Sequence, residues 1–197
     1  MKNSDVRNIL MDRTISVIAQ DGLDKTTTKA IVEGTGINEV YIYRQFANKE
    51  DLLQKTFDKL DEEVVSKAML HIPVMYMLSL EYRTRCRFFF NEMWKFLLGN
   101  KEKCLAYVQY YYSPYFRKHS AEGHRQRFLP LVQKFQEAFK EEANAWMLLN
   151  YMLNTMLDFA VKVYSGELPD DGDTEEHVFR VVYYAVSPYF KRANGDF

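Results

Sequence analysis

Apolar residues recur at steps of three and four along nearly the whole chain, and the breaks between runs fall at glycine, proline and asparagine. Val6, Ile9, Leu10, Val17 and Ile18 predict a first helix over about 4–20, with Ser4 as its cap and Gly22 as its stop. Two much shorter runs follow. Thr27 is a good N-cap for a helix over 28–34 that turns Ile31 and Val32 inward; Gly36 breaks it, and Ile37 can anchor the turn from inside. Asn38 caps a second short helix reaching Gln45, too brief to be stable alone and too polar on its outer side to be core. Asn48, with Asp51 three positions on, then opens a longer helix. It carries Leu52, Leu53, Phe57, Leu60 and Val64 to about residue 68, before Pro73 interrupts the pattern.

The later runs predict helices over 74–98, 102–112, 123–142, 144–164 and 173–186, with no alternating pattern of the kind that marks strands. The expected class is therefore all-α. An N-terminal helix-turn-helix head of three helices, residues 1–48, stands before a C-terminal helical bundle, residues 49–197. The run 144–164 is apolar almost all round, its one polar line being Asn150, Asn154, Asp158 and Lys162 at steps of four, as expected of a helix buried on several sides. The tetrapeptides Ser113-Pro114-Tyr115-Phe116 and Ser187-Pro188-Tyr189-Phe190 are identical, and two helix-ending prolines explain them better than an internal repeat.

Composition changes the picture at about residue 60. Of the 14 Tyr, 14 Phe and 2 Trp, only Tyr41, Tyr43, Phe46 and Phe57 lie before it, which makes the second part an aromatic-rich body. Charge adds less. The net charge is -1, and residues 1–60 carry nine basic and nine acidic residues, so bulk electrostatics do not point to nucleic acid. A local face holding Lys29, Tyr43, Arg44 and Lys49 still could. No signal peptide and no membrane-length apolar run is present, so a cytoplasmic protein is expected. Cys86 and Cys104 read as free, buried thiols.

Catalytic chemistry finds no support. His71, His119, His124 and His177 lack ligand spacing, no phosphate-binding loop or dinucleotide fingerprint exists, and the acidic stretch 167–176 lacks the order of a calcium loop. Neither enzyme activity nor a cofactor or metal is expected.

The stretch 26–53, TTTKAIVEGTGINEVYIYRQFANKEDLL, resembles the head of the TetR (tetracycline-repressor-like) family of bacterial transcription regulators. Thr26, Thr27, Ile31, Gly36, Ile37, Tyr43, Phe46, Lys49, Glu50 and Leu52 fall in register with that family's pattern, and Asn38 stands for its usual cap serine. The likeness extends upstream through Ile9, Leu10 and Gly22. It implies that Thr27, Tyr43 and Lys49 touch DNA phosphates, with Thr28 and Lys29 at the same helix start. Asn38, Glu39, Val40, Tyr41 and Arg44 would lie in or beside the major groove, although Val40 and Tyr41 replace the family's usual Gly-Thr pair.

The resemblance also implies a homodimer, joined through the last two long helices and reading a palindromic double-stranded operator, and a small effector bound in the body. Arg87, Phe90, Trp94, Tyr107, Tyr110, Tyr111, Trp146, Met147, Asn150, Tyr151 and Asn154 are the candidate lining. Arg83 and Arg87 share a helix face with Phe90 and Trp94; they could take an anionic ligand or form surface ion pairs. The expected function is a ligand-responsive regulator of transcription, a repressor released from its operator by a hydrophobic or aromatic effector. The alternative is a protein-interaction module of the same fold with little DNA binding.

Overall fold

The computed structural model describes residues 3–191, and the expected Ser4 cap lies outside the described side chains. The helices are α1 (Asn3–Asp21), α2 (Thr28–Val32), α3 (Val40–Gln45), α4 (Lys49–His71), α5 (Tyr82–Leu98), α6 (Lys101–Tyr111), α7 (Ala121–Ala138), α8 (Ala145–Ser165) and α9 (Gly172–Val186). Among the described residues the sole β feature is an isolated bridge between Phe139 and Phe190, so the all-α expectation holds. The chain forms two compact units: residues up to 64 with 100–127, and residues 65–99 with 128 onward.

In the first unit, α1 to α3 and the start of α4 close on Val6, Leu10, Met11, Ile31, Ile42, Phe46 and Leu52, with Val32 and Ile37 packed against them. Thr27 Oγ1 accepts from the Ala30 amide at 3.1 Å, capping α2 as expected. Gly34 and Gly36 turn the chain between α2 and α3 at φ of +73° and +70°, a region that strains any residue with a Cβ. Asn48 and Asp51 cap α4 reciprocally: Asn48 Oδ1 accepts from the Asp51 amide at 2.8 Å, and Asp51 Oδ2 from the Ala47 amide at 2.9 Å. The same unit packs α1 against α6. There Ser16 and Gln20 donate to Glu102 at 2.7 and 3.2 Å, and Gln109 accepts from the Leu23 amide at 3.1 Å.

In the second unit, α5 packs on α8 and α9 through Phe90, Met93, Trp94 and Leu97 on one side and Met156, Leu157, Val178, Phe179 and Val182 on the other. Asn144 caps α8 and Asp171 caps α9, accepting from the amides of Met147 and Thr174 at 3.0 and 2.9 Å. Gly166 ends α8 in the left-handed conformation, at φ of +77°.

Two expectations need correction. The run 74–98 is not one helix: Pro73 starts a 3-10 turn, Ile72–Tyr76, and the chain then loops to Tyr82 because Leu78 and its neighbours find no core to enter. The twin tetrapeptides also differ in structure. Pro188 sits in a 3-10 turn at the end of α9, whereas Pro114 starts a helical segment that runs through a π turn, Phe116–Ser120, into α7. Proline suits the first turn of a helix, where its missing N–H has no partner to lose, so the first copy begins a helix instead of ending one.

Candidate functional site

Helices of five and six residues cannot hold themselves together, and α1 supplies what α2 and α3 lack. Arg7 Nη1 donates to the carbonyl of Gln45, the last residue of α3, at 2.6 Å, and its guanidinium lies 4.3 Å over the Phe46 ring. Arg13 Nη2 donates to the carbonyl of Glu33, the C-cap of α2, at 3.2 Å. Each short helix thus has a cation at its negative end. Thr14, on α1, is fully buried, and its hydroxyl is satisfied by the Leu10 carbonyl at 2.8 Å. Arg7 was not a sequence candidate; its function is to position α3.

On the outer side of this frame, Thr27, Lys29, Asn38, Val40, Tyr41, Tyr43 and Arg44 are exposed, and Thr28, Glu39 and Lys49 are half-buried. Asn38 Oδ1 accepts from the Val40 amide at 3.0 Å, so the first turn is fixed from Asn38 although the regular helix begins at Val40. Arg44 lies over the Tyr41 ring at 4.9 Å, which holds its guanidinium against α3. Lys29, Arg44 and Lys49 form no ion pair with any described residue, while Lys55 and Lys59, further along α4, pair with Asp58 and Asp12 at 3.7 and 2.7 Å. A head that is neutral in sum therefore still carries cations with no ion-pair partner among the described residues, and Val40 and Tyr41 are exposed with them.

The candidate effector residues fall in both units. In the first, Tyr107 and Tyr110 are buried, their rings 5.0 and 4.8 Å from Phe57. Tyr107 donates to Asp61 at 3.1 Å, Tyr110 bonds Ser120 at 3.0 Å, and Tyr111 stacks on Tyr107 at 6.0 Å. In the second, Phe90 and Trp94 are buried and stacked at 5.9 Å, and Trp146 meets Phe128 edge-on at 6.2 Å. Asn150 donates to the Trp146 carbonyl at 2.8 Å within α8, Asn154 is half-buried, and Met147 and Tyr151 are exposed. Arg87 is bound to Glu176 at 2.5 Å and Glu175 at 3.4 Å, and Arg83 reaches Glu176 at 4.0 Å, so both have the ion-pair reading.

A cavity that the sequence did not reveal lies elsewhere in the second unit. It measures about 260 Å³, and Ile72, Met75, Leu78 and Phe135 form its apolar wall, with Tyr82, Arg85 and Lys134 beside them. Among the described residues no group of His, Cys, Asp and Glu is placed to hold a metal ion, and no helix is long and apolar enough to cross a membrane.

A capped, buttressed helix-turn-helix with an exposed second helix is the arrangement that places a helix in the major groove in DNA-binding proteins. Residues 10–56 match the family described as "Bacterial regulatory proteins, tetR family". No curated protein sequence matches the chain. Among solved structures, a TetR family transcription regulator from Marinobacter aquaeolei VT8 shares 16% identity, covering 96% of this chain and 97% of that one, with a TM-score of 0.77. The fatty acid degradation regulator FadR from Bacillus halodurans shares 16%, covering 92% and 96%, with a TM-score of 0.71. The multidrug binding protein EbrR, complexed with imidazole, shares 13%, covering 96% and 98%, with a TM-score of 0.65. Residues 10–56 carry the sequence of that family's head, and the chain as a whole has the fold of these solved regulators.

Proposed function

We propose that this protein is a cytoplasmic, homodimeric repressor that binds a palindromic operator through residues 1–48 and is released when a small effector binds in residues 49–197. The observation that carries the reading is that Lys29, Arg44 and Lys49 have no ion-pair partner among the described residues and that Tyr43 is exposed, all within a buttressed helix-turn-helix. Thr27, Tyr43 and Lys49 suit phosphate, since a hydroxyl, a phenol and a point charge at helix starts position a protein on the duplex without reading sequence. Asn38, Glu39, Val40, Tyr41 and Arg44 suit the major groove, where Arg44 can take guanine and Glu39 cytosine. EbrR, bound to imidazole, supports a ligand-binding body. A mobility shift on DNA from upstream of the protein's own coding sequence tests the reading. Binding should fall steeply with salt, and Tyr43→Phe with Lys49→Ala should weaken all bound sequences alike, lowering the salt slope by roughly one, for the single cation removed. Failure to bind any such fragment at low salt overturns it.

The dimer is proposed through α8 and α9, whose outer faces leave Met147, Tyr151, Val181 and Tyr184 exposed in the single chain. Two long helices with such a face suit a two-fold four-helix interface. Two heads spaced roughly 34–36 Å apart then match one turn of DNA. Tyr184, 59% exposed, is a fair probe. Tyr184→Glu should yield a monomer by sedimentation velocity at micromolar concentration and weaken operator binding; an unchanged dimer places the interface elsewhere.

A further inference from the structure

Among the described residues, the cavity of the second unit holds a buried cation without a counter-charge; the inference drawn from it rests on the reading that the body binds an effector. Arg83, Arg85 and Arg87 follow one another on α5. The outer two are taken by Glu175 and Glu176. Arg85, only 6% exposed, is not. Among the described residues its partners are the Met75 carbonyl, 2.8 Å from Nη1, and the Tyr82 ring, 4.9 Å from the guanidinium carbon. Its Nε is buried with no hydrogen bond, and the buried Tyr82 hydroxyl has no nitrogen or oxygen partner, only the Cys86 sulfur to donate to. A guanidinium so placed is unfavourable, because water is stripped from it and no described group of opposite charge replaces it.

The rest of the lining does not neutralise it. Glu137 is the one carboxylate of the cavity lining, and it is engaged by the Tyr76 hydroxyl at 2.8 Å and by Lys134 at 3.2 Å. Lys191, also in the lining, donates to the Glu137 backbone carbonyl at 2.9 Å. Three cations thus face one carboxylate. Burial pushes the Cys86 thiol, beside Tyr82, up to about 12, so it adds no negative charge. Burial, more than the nearby thiol, also holds the Tyr82 phenol well above its usual range, so it stays a donor.

We propose that this cavity binds a small amphiphilic carboxylate, its two oxygens on the Arg85 fork and the Tyr82 hydroxyl and its apolar part against Met75, Ile72 and Phe135. A planar guanidinium matches a carboxylate in a way a single ammonium does not. The volume, about 260 Å³, is below that of sites for drug-sized ligands and suits an apolar part of about six to eight carbons.

Titration calorimetry of the full chain with phenylacetate and hexanoate, against phenylacetamide and hexanamide, tests the proposal. The acids should bind at least about tenfold tighter than the amides. Arg85→Met should lose that tenfold for the acids and leave the amides unchanged, and Arg85→Lys, which keeps charge but not the fork, should lie between. Ala138→Leu, which fills the cavity from its wall, should abolish all four. Acid and amide bound equally, or acid binding indifferent to both Arg85 variants, overturns the proposal, and the lysine variant keeps the test alive if Arg85→Met does not fold. A mobility shift separates this from the effector reading. Acids that bind through Arg85 without releasing DNA support the site and refute its role as the trigger. Release by neutral aromatic compounds, with no acid binding, overturns the site and leaves the trigger reading standing.

Discussion

Asp61→Ala is expected to destabilise the first unit by about 3–5 kcal/mol, the cost of removing one member of a buried ion pair and leaving the other. Asp61 is fully buried on α4. Its Oδ1 accepts from the Tyr107 hydroxyl at 3.1 Å and from His124 Nδ1 at 2.9 Å, and its Oδ2 accepts from Arg127 Nε at 2.8 Å. An ionised carboxylate can only accept, so the geometry puts the histidine proton on Nδ1. Burial, then the Asp61 charge, pushes the Tyr107 phenol far above its usual range, so that contact does not titrate away. Burial opposes the charge of Arg127, but its hydrogen bond to Asp61 and the charges of Asp61 and Asp58 outweigh it and raise its pKa. Take Asp61 away and the acidic partner left to Arg127 among the described residues is Asp58, at 2.7 Å, with Phe57, Tyr111 and Phe116 packed around His124.

The asymmetry matters more than the mean strength of these bonds, because each stranded donor keeps its desolvation cost. Asp61→Asn keeps the volume and one acceptor, and its loss should be smaller, about 1.5–3 kcal/mol. Urea unfolding with the slope held as a check on two-state behaviour measures both. A loss under about 1 kcal/mol for the alanine variant would show that water or a rearranged Asp58 takes over the role.

That cluster marks the limit of what could be read from the chain. Period and caps are local signals, and they located α1, α2, α4, α8 and α9 to within a few residues because Thr27, Asn48 and Asn144 bond amides three positions away. Asp61 and His124 are 63 residues apart, and Arg7 and Gln45 are 38 apart; nothing in spacing links them. The same holds for α5. Periodicity put Arg83 and Arg87 on a face and offered two readings, but only the placement of Glu175 and Glu176 decides for ion pairs. It also had no means of singling out Arg85, whose interest lies in an absence among distant residues. The loop at 77–81 escaped for the opposite reason: Met77, Leu78 and Leu80 look like helix by type, yet Met77 and Leu78 stay exposed and the segment is irregular.

Ile42→Ala should abolish specific DNA binding while leaving carboxylate binding in the second unit intact. Ile42 is the single buried residue within α3 and is 0% exposed, packed in the head core. A helix of six residues has almost no stability of its own, so its order comes from this side chain, from Phe46 just after it and from the Arg7 bond to Gln45. Truncating a buried isoleucine costs about 2–5 kcal/mol, part of it the cavity left behind. Spent on so short an element, that loss falls first on the local order of α3 and only then on the whole unit. Val40, Tyr41, Tyr43 and Arg44, all carried by α3, would lose their common frame together. Fluorescence anisotropy with operator DNA should then report a drop to the weak, salt-dominated level of non-specific binding. Calorimetry with phenylacetate should be unchanged, and far-UV circular dichroism should show at most the loss of a turn or two. Ile42→Val, which removes one methylene and should cost about 0.5–1.5 kcal/mol, ought to retain recognition with lowered affinity. Should Ile42→Ala bind operator as tightly as the parent, α3 is not held by this residue. The exposed face it carries would then not depend on the head core.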